Sequence, residues 1–264
     1  MSSPTGSRPL GTGTPAVPAS WTAKALALTV NELRLAMRRG ESLLITFVIP
    51  AGVLLVFSMF DLSGGTAAGK PVDRMLPSSM ALAVIAASMV SLAIATGFER
   101  SYGVIKRLGG SPAGTAALVA SKTASVIVVE VVQVVLLVLI GVAIGWSAGA
   151  GASPPLAAAG LVLGTIGFAG FGLLMAGTLR AEATLALANL LFLVSLVLGG
   201  IVVPLDKLPA SVAAASSLLP PAALTKALTI GLGGAAGDAT ESVFVLAVWA
   251  VALAGLAARK FRWD

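Results

Sequence analysis

The sequence predicts an all-α integral membrane protein with six transmembrane helices, an N-terminal interfacial amphipathic helix and a broken outer segment before the last span. Three observations carry this expectation. Of 264 residues, 57% are hydrophobic and only 11% charged, with a mean hydropathy of +1.00; such a chain cannot clothe a core in water-compatible surface. Mostly apolar runs recur at 43–60, 78–98, 117–145, 156–179, 183–203 and 242–258, each near the ~20 residues that carry a helix across ~30 Å of hydrocarbon. Pro204, Pro209, Pro220 and Pro221 then interrupt a largely apolar stretch that no single regular helix can contain.

The elements follow in order. Residues 1–20, MSSPTGSRPLGTGTPAVPAS, are rich in Pro, Gly, Ser and Thr and hold no apolar run, so they read as a disordered tail and not as a signal peptide. Over 21–41 Leu26, Val30, Leu33 and Met37 follow helical spacing on one face, with Lys24, Asn31, Arg34 and Arg38 on the other. Such a helix suits the inner interface, Trp21 anchoring its start and the Arg residues meeting anionic headgroups; packing on a partner protein is the alternative. Residues 42–264 form the six-helix transmembrane domain. Pro50 within the first run removes a backbone donor and predicts a kink. The fourth run carries Gly160, Gly164, Gly167, Gly170, Gly172 and Gly177, and the third Gly141 and Gly145, spacings that let helices approach closely.

Orientation follows from the cations, which are retained on the cytoplasmic side. With the N-terminus inside, Arg8, Lys24, Arg34, Arg38, Arg39, Arg100, Lys106, Arg107, Lys122, Arg180, Arg259, Lys260 and Arg262 are cytoplasmic, against Lys70, Arg74, Lys207 and Lys226 outside. An even number of spans places both termini in the cytoplasm.

The chain contains no Cys and no His. It therefore lacks thiolate chemistry, the usual general base and the commonest metal ligand, which argues against an intramembrane zinc or serine hydrolase; no catalytic residue and no metal ligand is assigned. Gly64, Gly69 and Lys70 match the skeleton of a phosphate loop, but Pro71 stands where its Ser or Thr belongs. With no strand before it and no helix expected to begin there with the needed donors, the segment reads as a loop.

Glu130 is the only carboxylate deep in a run, with Gln133 three residues on and Thr123 seven back, a polar stripe on one face of the third helix. Its cost in hydrocarbon, at least ~2.5 kcal/mol, requires that it face protein or water. A substrate-path contact and an interhelical hydrogen bond are both open. Between the second and third runs, FERSYGVIKRLGGSP crowds Glu99, Arg100, Lys106 and Arg107 into one connector. Read as a short helix, it would place Tyr102, Ile105 and Leu108 on an apolar edge bordered by cations, stopped by Gly109, Gly110 and Pro112.

This connector resembles that of the membrane permeases of type-2 ABC transporters, in the order Glu99, Arg100, Gly103, Lys106, Arg107, Leu108, Pro112 and then Lys122. The end of the fifth run is similar too, with Gly199, Gly200, Pro204, Leu208, Pro209 and Pro220 in the family's places. The resemblance covers the whole six-span layout. It implies an export, or less often import, permease in the cytoplasmic (inner) membrane. A second permease subunit, identical or different, and two copies of a cytoplasmic ABC ATPase would complete the assembly.

An apolar edge ringed by cations over Glu99 to Leu108 suits docking in a groove of that ATPase, with a retention loop against headgroups as the alternative. The resemblance places the Gly199–Pro220 region over the outer end of the pathway as a gate, with an ordinary surface loop as the alternative. No cytoplasmic segment exceeds about forty residues, too short for an ATPase domain of ordinary size, so ATP and Mg are expected in the partner, with no cofactor in this chain. Partners other than these are the lipid bilayer, with no nucleic acid. An apolar lining suits a hydrophobic or amphipathic substrate. An ion-driven secondary transporter or a non-transporting membrane scaffold are the alternatives.

Overall fold

A computed structural model of the chain describes residues 20–38, 40–60, 70–109 and 114–261, with side chains given outside 40–45, 107–109, 114–116 and 118. Every regular element among the described residues is helical. The expected tail, the Gly64 and Gly69 loop, and Gly110 with Pro112 lie outside them.

Helix α1 (Trp21–Arg38) occupies the predicted amphipathic stretch. Leu26, Val30 and Met37 point away from the protein, while Thr29 is buried on a helix that packs against α6. The helix therefore has three faces, for lipid, water and protein, where the pattern alone suggested two. Helix α2 (Gly40–Met59) contains Pro50, and its described apolar part is Thr46–Met59.

The second span is longer than the apolar run, because one continuous helix covers Pro71–Ser101, 31 residues. It comprises α3 (Pro71–Val84), a π segment (Ile85–Ser91) and α4 (Leu92–Ser101). Proline favours the first helical position because its missing N–H has no partner there anyway, and the Lys70 N–H is taken by Asp73 Oδ2 at 3.2 Å. A helix thus does begin directly after Lys70, contrary to the expectation from sequence. The Lys70 ammonium donates to the Gly145 carbonyl at 2.8 Å, which commits it to packing.

Beyond the connector helix α5 (Val104–Gly109) come α6 (Gly114–Ala143), α7 (Pro154–Thr178) and α8 (Ala181–Leu198). Among the described residues, five helices are long and apolar enough to cross a membrane, Pro71–Ser101, Val119–Ala143, Pro154–Thr178, Ala181–Leu198 and Thr240–Lys260, and the first of the six expected spans appears as the shorter apolar helix Thr46–Met59. Helix α7 is the hub. Its glycines meet different neighbours: Gly160 and Gly164 face α10, Gly167 and Gly170 face α11, and Gly172 meets the Ser88 and Met89 carbonyls of the π segment. Helix α6 instead turns Val128, Val131, Val135 and Leu139 outward, as a peripheral span in lipid must.

Helix α8 stops at Leu198, short of residue 203, because Gly199 caps it and Gly200 takes φ +67, a left-handed conformation open chiefly to glycine. Each following proline opens an element. Pro204 precedes a 3₁₀ turn (Leu205–Lys207), Pro209 precedes α9 (Ala210–Ser217), and Pro220 is the first residue of α10 (Pro220–Gly231). Helix α10 runs along α7, with Leu224 against Gly164, Ala227 against Gly160 and Gly231 against Ala157.

The indole of Trp249 donates to the Leu218 carbonyl at 2.9 Å. Trp249 lies nine residues into α11 (Thr240–Lys260), or ~13 Å along its axis. The broken segment is therefore a hairpin whose α10 arm is buried against the bundle, while most of α9 and the turn at Ser217 and Leu218 are exposed. Ahead of α11, Asp238 accepts the Thr240 N–H and hydroxyl. Those bonds favour the ionised form and hold its carboxyl below the usual range.

Candidate functional site

At the end of the bundle carrying the connector, Lys122 is buried, with 3% of its side chain exposed. Burying an ammonium is tolerable only if it is paired and hydrogen-bonded. Lys122 Nζ donates to Glu32 Oε1 at 2.9 Å and to Glu99 Oε2 at 2.5 Å. One lysine on α6 thereby ties the interfacial helix α1 to the end of α4. Glu32 went unnoticed in the sequence, a lone acid in a cationic stretch.

The neighbouring Arg100 works on a different element. Its Nη2 donates to the Leu179 carbonyl at 2.8 Å, at the C-terminus of α7, where the helix dipole favours a cation. Its Nη1 is buried without a partner among the described residues. The chain then breaks at Tyr102 and Gly103, the latter at φ +69, and α5 starts afresh at Val104.

This break corrects the apolar edge expected from a single helix. Tyr102 is 71% exposed, whereas Ile105 is fully buried. Tyr102 stacks on Phe98 with ring centroids 6.2 Å apart, and Lys106 is exposed. Ile105 thus anchors α5 to the bundle while Tyr102 and Lys106 face outward. The side chains of Arg107 and Leu108 lie outside the described residues.

Above this cluster opens a cleft of ≈ 500 Å³. Pro50 of α2, Val90 and Ala95 of the second span, Val126 of α6 and Phe192 of α8 line it, and Glu32, Glu99 and Lys122 close one end. An apolar wall with a few convergent polar groups is the usual form of a small-molecule site.

The polar stripe predicted on the third helix lies elsewhere. Thr123, Glu130 and Gln133 are not among the residues lining the cleft. Glu130 accepts from the Thr165 hydroxyl of α7 at 2.5 Å. Gln133 Nε2 donates to the Thr46 carbonyl of α2 at 2.9 Å. Both residues join helices, which fits the interhelical reading. One oxygen of each, Glu130 Oε1 and Gln133 Oε1, is buried without a partner among the described residues.

At the opposite end a second pocket of ≈ 410 Å³ is bordered by Gly199, Gly200 and Pro204, with Arg74 of α3 and Lys226 of α10. Leu208, Pro209 and Pro220 do not line it; the two prolines begin α9 and α10 instead.

A bundle of apolar helices with a side cleft, a charged connector and a proline-broken hairpin is a multi-pass membrane protein. The family model for ABC-2 type transporters matches residues 24–232, from α1 through the hairpin, and the chain belongs to that family. It is accordingly a permease subunit of an ABC transporter, a system that includes an ATPase partner. No curated protein matches the chain.

Proposed function

We propose that this chain is half of the membrane portion of an exporter in the cytoplasmic membrane, passing a hydrophobic or amphipathic substrate through the α2, α4, α6 and α8 cleft. A second permease subunit completes the membrane portion, and two ATPase copies, holding ATP and Mg, drive it from the connector side. The observation that carries this reading is the position of the Glu32, Lys122 and Glu99 cluster. It forms one end of the cleft and also anchors the last residues of the second span before the connector, so a push on the connector moves the cleft wall.

Ala95 lines the cleft, and Ala95→Trp fills part of it without touching the connector. With the cognate ATPase in proteoliposomes, this variant should retain the partner and lose at least about tenfold in ATP-dependent export of an amphipathic fluorescent dye. Such a loss corresponds to roughly 1.4 kcal/mol. Normal export by Ala95→Trp would place the path elsewhere. Unchanged dye movement when ATP is withheld would favour ion-driven transport, and no movement by the wild type under any condition would favour a scaffold.

The proposed orientation has its own test. The chain has no cysteine, and Ser101 and Ser211 are both exposed. In intact cells an impermeant thiol reagent should label Ser211→Cys and spare Ser101→Cys. Labelling of Ser101→Cys from outside would reverse the topology.

A further inference from the structure

We propose that the pocket between α3, α10 and the Gly199 to Leu205 turn is a phosphate-binding site, with Arg74 as its principal ligand. The inference starts from an unmet donor. Arg74 Nη1 is buried and has no hydrogen-bond partner among the described residues, and a guanidinium is always charged and presents its donors in a planar fork. Leaving such a donor buried and unpaired is costly, so the site is incomplete as the described residues build it.

The surroundings specify the missing group. Three cations, Lys70, Arg74 and Lys226, line the pocket against one carboxylate, Asp73. That carboxylate is occupied by the Lys70 backbone N–H. Lys226 has only a loose pairing with Glu241, at 3.6 Å with both side chains at least half exposed, an arrangement that contributes little. The hydroxyl protons are already used, because Thr225 and Thr229 donate to carbonyls of their own helix. With the Lys70 ammonium held by the Gly145 carbonyl, the donors that remain, on Arg74 and Lys226, are cationic, and a neutral polar ligand gains little that an anion does not gain more fully. A phosphate oxygen pair matches the Arg fork in geometry and charge. The volume, ≈ 410 Å³, admits a phosphate together with the group esterified to it. Gly200 forms one lip, its φ of +67 bringing the turn over Leu205.

The proposal does not depend on the direction of transport or on the cleft. Its test uses the full chain in dodecylmaltoside, with Ala235→Cys as reporter, since Ala235 is exposed and lines the pocket in a chain free of other thiols. The maleimide labelling rate is measured with potassium phosphate, with dioleoylphosphatidylglycerol or with dioleoylphosphatidylcholine, chloride holding the ionic strength constant. At a ligand concentration tenfold above Kd about nine sites in ten are filled, so labelling should slow roughly tenfold.

Adding Arg74→Gln should abolish this protection, and Arg74→Lys should keep it at weaker apparent affinity. Protection by phosphatidylglycerol alone identifies a lipid headgroup, by inorganic phosphate alone a soluble phosphate, and by both a site open to either. Each of these outcomes supports the proposal. Absence of protection by both anions, or equal protection in Arg74→Gln, would overturn it. Should Arg74→Gln fail to give a monodisperse protein, unchanged phosphate affinity in Arg74→Lys and in Lys226→Gln would overturn it as well.

Discussion

Replacing Lys122 with Met is expected to destabilise the protein by about 3–5 kcal/mol, the usual cost of removing one partner from a buried charge network. The two carboxylates that the lysine holds, Glu32 and Glu99, are only 18% and 13% exposed. Without the cation they face each other in a poorly solvated site. In detergent the variant should show a lower Tm, and α1 should become susceptible to proteolysis. The cause is uncompensated charge and not lost volume, so Lys122→Met combined with Glu32→Gln and Glu99→Gln should recover most of the stability. A Lys122→Met protein as stable as the wild type would mean that the three residues are solvated and contribute nothing.

The second large effect concerns packing. A Cβ placed on Gly170 would lie 2.7 Å from the Ala254 nitrogen and 2.9 Å from the Leu253 carbonyl carbon. Those are backbone atoms of α11, which cannot rotate aside. Gly170→Val should force α7 and α11 apart and cost on the order of 3 kcal/mol, largely because close backbone approach is what joins helices in lipid. Gly255→Val on α11 is the control, since nothing lies within 4 Å of its Cβ position. Loss of monodisperse protein for Gly170→Val but not for Gly255→Val is the expected pattern. Equal behaviour of the two would refute the contact.

Much of this architecture was legible because lipid leaves a chain few options. Apolar runs must be helices, and glycine and proline mark where they stop. Hence Gly199 and Gly200 end α8, and Pro209 and Pro220 start the hairpin helices. What was not legible depended on distant residues or on the fine geometry of the helix. Glu32 and Lys122 are 90 residues apart, and nothing local to Glu32 announces its partner. The π segment at Ile85–Ser91 has no compositional signature, being an apolar helix like its flanks. The connector was read as one helix, so Ile105 was placed beside Tyr102. Gly103 at positive φ resets the helical phase and sends the two side chains in different directions. The cleft also escaped notice, since its wall comes from five separate segments, while the conspicuous Glu130 proved to join α6 to α7.

The proposed function makes the connector the surface that the ATPase engages. The burial of Ile105 makes the exposed pair, Tyr102 and Lys106, the discriminating residues. The decisive measurement is co-purification of the cognate ATPase with a Tyr102→Ala, Lys106→Glu double variant, compared with the wild type at low and moderate salt. Aromatic anchors and rim charges set affinity and orientation at such surfaces. The variant should therefore insert and melt like the wild type yet retain less than about a tenth of the ATPase, a difference of at least ~1.4 kcal/mol in binding. Equal recovery of the ATPase by variant and wild type at both salt concentrations would contradict the account.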